Sequence, residues 1–270
     1  MPPNDTPRPR KRLGQHFLHD PRIIERILKA IHPDPDEVFM EIGPGPGALT
    51  FPLLARVDRL HVVEIDRDLA AALEARPEAA EGRLVVHRRD ALKTDFRALV
   101  PGHDGLRIVG NLPYNISTPL LFHLFEQKAG IRDMHFMLQK EVVDRMAARP
   151  GSRTYGRLSV MSQYHCRITP LFDIGPGAFR PPPKVHSTFV RLVPRPTPPV
   201  EVVDERCFDT VVRQAFSQRR KTLRNALRSL LDAARIAEAG IDPGVRAEAL
   251  DLDAFARLAN AVATASREAP

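Results

Sequence analysis

The chain has 270 residues, with 40 Lys and Arg against 33 Asp and Glu, which gives a formal net charge of +7. A hydrophobic content of 43% and a charged content of 27% are typical of a globular protein and exclude a mostly disordered or collagen-like chain. No apolar run approaches the roughly 18–20 residues of a membrane-spanning helix. The length predicts one large domain, or a large and a small one, and the charge suits a polyanionic partner.

The N-terminal segment, residues 1–13, is rich in proline, arginine and lysine. It predicts a flexible basic tail, which is either solvated or in contact with nucleic acid. The segment has no apolar stretch of the kind that a secretory signal needs, so we expect a cytoplasmic protein. The two cysteines, Cys166 and Cys207, are too few for a disulfide framework or a four-cysteine zinc site, and we predict no metal site.

Behind this tail, short apolar strands alternate with helices. A first helix is predicted to begin at Pro21, with Asp20 as its N-cap and apolar residues at helical spacing up to Ile31. Strands are predicted at residues 38–42, 59–65, 84–87, 106–109 and 134–138, and helices at residues 48–56, 66–75, 119–127 and 141–148. This alternation predicts an α/β fold with a doubly wound parallel sheet. Ligands of such sheets bind beyond the carboxyl ends of the strands.

The C-terminal part of the chain has a different character. A last strand is predicted at residues 187–193, and the proline-rich residues that follow it predict a linker. Beyond them, apolar residues recur at helical spacing, namely Val212, Phe216, Leu223, Leu227 and Leu230. We therefore predict a Rossmann-like domain over residues 14–198 and a small all-α domain over residues 199–270.

A glycine-rich turn at residues 41–48 follows the first strand of the predicted sheet. Glycine lets the backbone approach a nucleotide closely. Glu64, at the end of the next strand, is placed to accept hydrogen bonds from both hydroxyls of a ribose. The spacing of Gly43, Gly45 and Ala48 also fits the dinucleotide-binding fingerprint. The turn therefore predicts an adenosine-containing cofactor and leaves NAD and S-adenosylmethionine both open.

Two later features favour S-adenosylmethionine. Asp90 follows the third strand, where it either accepts the exocyclic amine of the cofactor's adenine or simply caps a turn. Asn111-Leu112-Pro113-Tyr114 follows the fourth strand, and a dehydrogenase has no need of this element. The Asn111 side-chain carbonyl and the Leu112 main-chain carbonyl can accept both N–H bonds of an adenine N6 amine. Tyr114 supplies a ring on which the base can stack, a contact worth about 1–3 kcal/mol.

Nine motifs occur in order between residue 14 and about residue 225. They are GQHFL (14–18), EIGPG (41–45), VEID (63–66), DA (90–91), NLPYNIS (111–117), LQKEV (138–142), YGRLSV (155–160), FRPPPKV (179–185) and FSQRRKT (216–222). The set resembles the ribosomal RNA small-subunit adenine dimethyltransferase family, whose relatives include the erythromycin-resistance rRNA methylases and mitochondrial transcription factor B.

The resemblance implies a Rossmann-like, S-adenosylmethionine-dependent methyltransferase. Its expected reaction is N6,N6-dimethylation of two adjacent adenosines in the 3′-terminal hairpin loop of small-subunit (16S) rRNA, a step of ribosome biogenesis. The expected partner is this rRNA within an assembling 30S subunit, and the protein is expected to be a monomer. No general base is expected, because a sulfonium methyl group is already activated and the product nitrogen loses its proton easily.

The resemblance also implies roles for particular residues. The implied cofactor contacts are His16, Leu18, Gly43, Glu64, Asp90 and Asn111. The implied catalytic residues are Asn111, Leu112 and Tyr114, which would hold the target base, with Phe179 against its other face. His16 departs from the family, which usually has Asn at this position, so that a ring nitrogen or the backbone of His16 would make the contact.

A basic segment in the C-terminal part of the chain fits an RNA substrate. It carries no acid among its cations, which are Arg213, Arg219, Arg220, Lys221, Arg224 and Arg228. The predicted substrate contacts are Arg219, Arg220, Lys221 and Arg224. Arg220, Arg224 and Arg228 are spaced to share one helix face. Like charges at this spacing repel one another, so the stripe is either a solvated face or a phosphate-binding one.

Two other functions are compatible with parts of the sequence. An NAD-dependent dehydrogenase is suggested only by the glycine-rich turn. A nucleic-acid-binding factor that has the same fold but has lost catalysis is disfavoured by the intact element from Asn111 to Tyr114.

Overall fold

The computed structural model describes residues 14–218 and 220–268. The predicted tail at residues 1–13 lies outside the described residues. The described chain divides into two compact units. The first comprises residues up to Val143 together with Ile168–Pro194, and the second comprises Asp144–Arg167 together with the residues from Arg195 onward.

The main sheet of the protein has seven strands among the described residues. All described strands in chain order are β1 (Phe17–Leu18), β2 (Phe39–Ile42), β3 (Leu60–Glu64), β4 (Leu84–Arg88), β5 (Leu106–Asn111), β6 (Ile131–Gln139), β7 (Cys166–Ile174), β8 (Phe179–Arg180) and β9 (Ser187–Pro194). The strand order in the main sheet is β4-β3-β2-β5-β6-β9-β7. The five strands from β4 to β6 are parallel, and β9 runs antiparallel to β6. The structure confirms the predicted Rossmann-like α/β fold.

Helices cover the sheet and connect its parallel strands. They are α1 (Pro21–Ile31), α2 (Thr50–Leu54), α3 (Arg67–Glu74), α4 (Pro77–Ala80), α5 (Ser117–Glu126) and α6 (Lys140–Met146). Asp20 caps α1 as predicted, because its side chain accepts hydrogen bonds from the backbone N–H groups of Arg22 and Ile23. Because β2, β3, β4 and β5 are parallel, their carboxyl ends meet at one edge of the sheet.

An ion-pair network lies near the amino ends of β5 and β6, away from the edge where the carboxyl ends meet. The Arg107 side chain is only 4% exposed and the Asp133 side chain is fully buried. The Arg107 Nε lies 2.9 Å from Asp133 Oδ1, and the Arg107 Nη2 donates to the Ile31 carbonyl at 2.7 Å. Glu37 and Arg191 complete the network. Burial alone would raise the pKa of Asp133, but the hydrogen bond and charge of Arg107 hold it below its ordinary value.

The second unit is helical apart from the start of β7. Its helices are α7 (Arg157–His165), α8 (Glu205–Ala215), α9 (Leu223–Ala226), α10 (Ala233–Glu238) and α11 (Leu252–Glu268). Phe208 on α8 and Phe255 on α11 are fully buried. Phe216 packs against Phe255 with ring centroids 5.6 Å apart. These aromatic contacts give the unit a hydrophobic core of its own.

Residues 144–167 and 195–198 belong to the second unit, whereas the sequence predicted both segments as parts of the first domain. The contacts of α7 explain this. The Tyr164 ring stacks on the Phe208 ring of α8, with centroids 4.4 Å apart, and the Arg157 guanidinium lies 2.8 Å from the Asp209 carboxylate. Both contacts join residues more than 40 positions apart in sequence.

The predicted arginine stripe on one helix face is wrong. Only Arg224 lies in a helix, the four-residue α9, while Arg220 and Arg228 lie in turns on either side of it. The backbone N–H groups of Leu223 and Arg224 bind carbonyls of residues 243–245. These nonlocal bonds replace those that a continuous helix would make. All three arginines are nevertheless exposed.

Among the residues that the structure describes, no helix has the length and apolar character needed to cross a membrane.

Candidate active site

A cavity opens at the carboxyl ends of β2, β3 and β5. Its volume is about 180 Å³. Of the six predicted cofactor contacts, the cavity is lined by His16, Gly43, Glu64, Asp90 and Asn111. Ile65, which no sequence pattern predicted as a site residue, also lines the cavity and is 52% exposed. Its signal is structural, because a large apolar side chain left open to solvent beside a cavity is typical of a ligand contact.

The glycine-rich turn leaves room for a ligand. Gly43 has φ +68°, a conformation that favours glycine, and a Cβ at this position would meet no atom within 4 Å. Gly45 has φ +59°, and its Cβ would lie 3.1 Å from the Phe17 ring. The backbone therefore lines open space at Gly43 and packs tightly against Phe17 at Gly45.

Glu64 ends β3 with its carboxylate held by the backbone. Its Oε1 accepts from the Asp66 N–H at 2.8 Å, and its Oε2 accepts from the Gly45 N–H at 3.2 Å. Burial raises the pKa of Glu64, and these two bonds oppose the rise. A carboxylate has about four acceptor sites, so Glu64 keeps capacity to accept from a ribose hydroxyl.

The structure shows the capping role of Asp90. It caps a short 3-10 helix, Ala91–Lys93, by accepting from the Leu92 N–H at 3.0 Å. It also lines the cavity. The cap uses Oδ1, which leaves Oδ2 as an acceptor for a ligand amine.

The Asn111 side chain has a defined orientation at the end of β5. Its Nδ2 donates to the backbone carbonyl of His16 at 2.7 Å. This bond fixes which end of the amide is the donor, and so leaves Oδ1 as the acceptor toward the cavity that Asn111 lines. Leu112 is anchored by its buried side chain, 1% exposed, and by a bond from its N–H to the Met137 carbonyl.

Tyr114 is half-buried and also lines the cavity. Its hydroxyl lies 2.8 Å from the Ser187 Oγ on β9, and burial raises the pKa of Tyr114. The backbone of Tyr114 is held as well, because Ser117 Oγ donates to the Tyr114 carbonyl. Ser187, which the sequence analysis did not single out, therefore fixes the orientation of the ring.

His16 is held by three contacts. Its Nδ1 lies 2.7 Å from the Pro181 carbonyl, its own carbonyl accepts from Asn111, and its ring lies near the Tyr114 ring, with centroids 5.5 Å apart. Because a carbonyl oxygen can only accept, Nδ1 of His16 is the donor in its contact with Pro181.

The structure does not bring Leu18 and Phe179 into the lining of this cavity. They pair with each other in the antiparallel β1–β8 ribbon, where Leu18 is 5% exposed and Phe179 is 1% exposed. Both belong to the hydrophobic core of the first unit. Leu18 lines a smaller cavity, whose walls also include residues of the glycine-rich turn. Phe179 offers no open ring face to a base in this structure, because core packing covers it.

The predicted RNA contacts lie in the second unit. Arg220, Lys221 and Arg224 are exposed. Arg219 lies outside the described residues.

The fold and the site together define a Rossmann-like methyltransferase. The defining features are the strand order, the open glycine-rich turn, the Glu64 carboxylate held by the backbone and the oriented Asn111 side chain. Comparison with known proteins identifies its family. Residues 7–264 match the family model described as ribosomal RNA adenine dimethylase. The chain therefore belongs to the ribosomal RNA adenine dimethylase family, and the dehydrogenase hypothesis is wrong.

Relatives agree with this assignment over nearly the whole chain. The chain is 56% identical over 256 residues to a protein of Pseudomonas fluorescens named ribosomal RNA small subunit methyltransferase A, covering 95% of this chain and 94% of the relative. A protein of the same name from Vibrio parahaemolyticus is 53% identical, with 93% of each chain covered. These names are those of enzymes, which removes the alternative of a binding factor without catalysis.

Two solved structures are similar in fold. A dimethyladenosine transferase from Plasmodium falciparum has a TM-score of 0.75 and 28% identity, covering 90% of this chain and 96% of that chain. The 23S rRNA methyltransferase ErmE has a TM-score of 0.67 and 25% identity, covering 92% of this chain and 99% of that chain.

Proposed function

We propose that this protein transfers methyl groups from S-adenosylmethionine to the N6 amines of two adjacent adenosines in the 3′-terminal hairpin loop of small-subunit rRNA. The observation that carries the proposal is the orientation of Asn111. Its amide nitrogen is held by the His16 carbonyl, so its oxygen is the acceptor at the cavity. The curated relatives, named for the ribosomal small subunit, support this RNA as the substrate.

The residues present fit the proposed cofactor. Gly43 leaves space where a Cβ would stand, Glu64 holds free acceptor sites for ribose hydroxyls, and Asp90 Oδ2 can accept from the adenine amine. His16 and Asn111 line the same cavity, while Leu18 lines a smaller cavity that shares Gly43, Gly45 and Asn111 with it. When bound, S-adenosylmethionine supplies a methyl group that its sulfonium has already activated.

The target amine is a poor nucleophile, because its lone pair is delocalised into the purine ring. The Asn111 Oδ1 and the Leu112 carbonyl are proposed to accept the two N–H bonds, which favours a pyramidal nitrogen with its lone pair directed away from both acceptors. Tyr114 supplies the stacking face. Catalysis then consists mainly of positioning and electrostatic placement, and no general base is proposed.

The substrate adenosine has to leave its stack to reach Asn111, which a hairpin loop permits more readily than a duplex. We propose that the protein acts as a monomer in the cytoplasm on rRNA within an assembling 30S subunit, where such a loop is accessible.

The proposed function is tested with small subunits that lack the modification. Incubation with the protein and labelled S-adenosylmethionine is expected to place N6,N6-dimethyladenosine in the 3′-terminal fragment of the rRNA. Digestion and chromatography of the nucleosides measure it. Small subunits that are already dimethylated serve as the control and should accept no label. Absence of dimethyladenosine from the digest, with the protein folded and the label intact, would defeat the proposal.

A second prediction concerns the exposed cations of the second unit. Replacing Arg220, Lys221 and Arg224 together by Ala should weaken RNA binding and reduce the dependence of log Kd on log salt concentration by about 2–3, because each phosphate contact contributes about 0.7–0.9 to the slope. The affinity of the protein for the rRNA fragment, measured by filter binding at several salt concentrations, checks this.

The matched control removes the same number of exposed cations from the first unit. Arg22, Lys29 and Arg67 are exposed on α1 and α3, and their replacement by Ala should leave the salt slope nearly unchanged. Equal effects of the two triple variants would show that net charge alone, and not this segment, determines RNA binding.

A further inference from the structure

One polar side chain of the active-site cavity has no role in the site described above. Asn115 lines the cavity directly after Tyr114, and it is exposed. Within residues 14–218 and 220–268, its carboxamide has no hydrogen-bond partner. Helix capping does not explain the residue, because α5 begins at Ser117 without a side-chain cap. The carboxamide of Asn115 is therefore available to a ligand.

The backbone holds Asn115 at the tip of a tight turn. The Ile116 N–H donates to the Pro113 carbonyl at 3.1 Å, which closes a β-turn. The side chain lies against Gly14, since a Cβ at residue 14 would stand 2.9 Å from the Asn115 Oδ1. Glycine at this position therefore leaves the room that the carboxamide occupies, and any larger residue would displace it.

Most of the other polar side chains of the cavity already have a proposed partner. Glu64 and Asp90 are assigned to the ribose and the adenine of the cofactor, and Asn111 is assigned to the target amine. Asn115 follows Tyr114, on which the target base is proposed to stack, so it belongs to the substrate side of the cavity. The contact that remains to be made there is to the target base itself.

Adenine offers more to a protein than its amine. Its ring nitrogens N1 and N7 flank the amine and are hydrogen-bond acceptors. Both amine N–H bonds are proposed to go to the carbonyl oxygens of Asn111 and Leu112, which can only accept. A ring nitrogen instead requires a donor, and the Asn115 amide carries two N–H donors.

A contact to a ring nitrogen matters most after the first methyl transfer. An unmodified amine has two N–H bonds, one for each proposed acceptor, whereas N6-methyladenosine has only one. A base that is held by one hydrogen bond and by stacking on Tyr114 can turn in its own plane, because stacking does not fix this rotation. A hydrogen bond to a ring nitrogen supplies a second fixed point.

We infer that the Asn115 amide donates to N1 or N7 of the target adenine and so keeps the base aligned for the second methyl transfer. The inference rests on the proposed function, because it takes adenosine dimethylation as the reaction. Asn115 contacts the base and makes no bond to the methyl group. Each transfer breaks the sulfonium S–C bond, forms one N6–C bond and releases one amine proton to solvent.

The test measures the two transfers separately. In Asn115→Ala the rate of the second transfer relative to the first should fall about 3–10-fold, the range expected for loss of one hydrogen bond, so that N6-methyladenosine accumulates. Single-turnover time courses on unmodified small subunits, followed by chromatography of the nucleosides, give both rates. The affinity for S-adenosylhomocysteine, measured by calorimetry, should change less than about twofold.

Two further variants serve as companion and control. Asn115→Asp keeps acceptor oxygens but has no N–H to donate, so it should be as slow in the second transfer as Asn115→Ala. A ribose hydroxyl both donates and accepts, so a wild-type ratio of rates in Asn115→Asp would indicate a sugar contact and overturn the inference. Asn225→Ala removes an exposed asparagine of the second unit and should leave the ratio unchanged.

A second measurement uses the wild-type protein. Small subunits are reconstituted with rRNA that carries 1-deazaadenosine or 7-deazaadenosine at the target positions, which replaces N1 or N7 by a C–H group. One of the two analogues should lower the ratio of second to first transfer as Asn115→Ala does, and it should have no further effect on that variant. The analogue that acts identifies the ring nitrogen.

The results separate the inference from the proposed function. If the wild type forms dimethyladenosine and Asn115→Ala does so with an unchanged ratio of rates, the inference is wrong while the proposed function stands. The inference also fails if Asn115→Ala loses affinity for S-adenosylhomocysteine as much as it loses rate. If the wild type forms no dimethyladenosine, the proposed function falls and the inference with it. Should Asn115→Ala unfold, a wild-type ratio that neither analogue lowers would overturn the inference by itself.

Discussion

Replacement of Arg107 by Ala is expected to destabilise the protein by about 3–5 kcal/mol, the loss typical of breaking a buried ion pair. The Asp133 carboxylate is fully buried and would lose its bidentate partner, while the Ile31 carbonyl would lose its donor. Arg191 still pairs with Asp133 but its side chain is 44% exposed, so it compensates only in part. Urea unfolding at pH 7 measures the free energy difference.

The destabilisation should shrink as the pH is lowered. In the wild type the lowered pKa of Asp133 contributes stability above its unfolded value, and this contribution is lost as the pH falls through the folded value. In Arg107→Ala only Arg191 still pairs with Asp133, so burial raises the pKa of Asp133 relative to the wild type. Protonation then neutralises the poorly compensated carboxylate at a higher pH. The difference in the free energy of unfolding between the wild type and Arg107→Ala should therefore decrease from pH 7 toward pH 4.

Two further variants test whether loss of the buried ion pair causes the destabilisation. Arg56→Ala removes an ion pair with Glu25 whose side chains are 36% and 48% exposed, and should cost less than about 1 kcal/mol. The double variant Arg107→Met, Asp133→Leu removes both buried charges and should be more stable than Arg107→Ala. A loss for Arg107→Ala no larger than that for Arg56→Ala would contradict a structural role of the network.

Local patterns in the sequence were sufficient to predict most helices and strands of the first unit. The cap at Asp20 and the alternation of apolar strands predicted α1 and the parallel strands, because their determinants lie within a few residues. Residues 157–174 were not assigned to any element, although they form the whole of α7 and β7. Most of α7 is buried, on more than one side of the helix, so its sequence lacks the one-sided apolar pattern by which a helix is recognised.

The features missed in the site depend on contacts between distant residues. The bond from His16 to the Pro181 carbonyl joins residues 165 positions apart, and no local pattern encodes it. The burial of Phe179 results from its pairing with Leu18, which is equally remote.

Replacement of Asn111 by Ala is expected to lower the rate of methyl transfer about 10²–10³-fold, an effect typical of losing one preorganised hydrogen-bonding group at a reacting centre. The affinity for S-adenosylhomocysteine should fall far less, since Gly43, Glu64 and Asp90 are unchanged. Single-turnover methylation of unmodified small subunits, together with calorimetric binding, separates the two quantities.

The informative companion is Asn111→Asp, which keeps an acceptor oxygen but replaces the amide donor. A carboxylate oxygen would face the His16 carbonyl across the 2.7 Å now spanned by the amide bond, and the two acceptors would repel each other. The side chain would then turn, and its remaining oxygen would no longer be aimed at the amine. If orientation by His16 is what makes Asn111 effective, Asn111→Asp should be nearly as slow as Asn111→Ala. An aspartate variant with close to wild-type rate would show that any acceptor at this position suffices, and the argument from the His16 bond would fail.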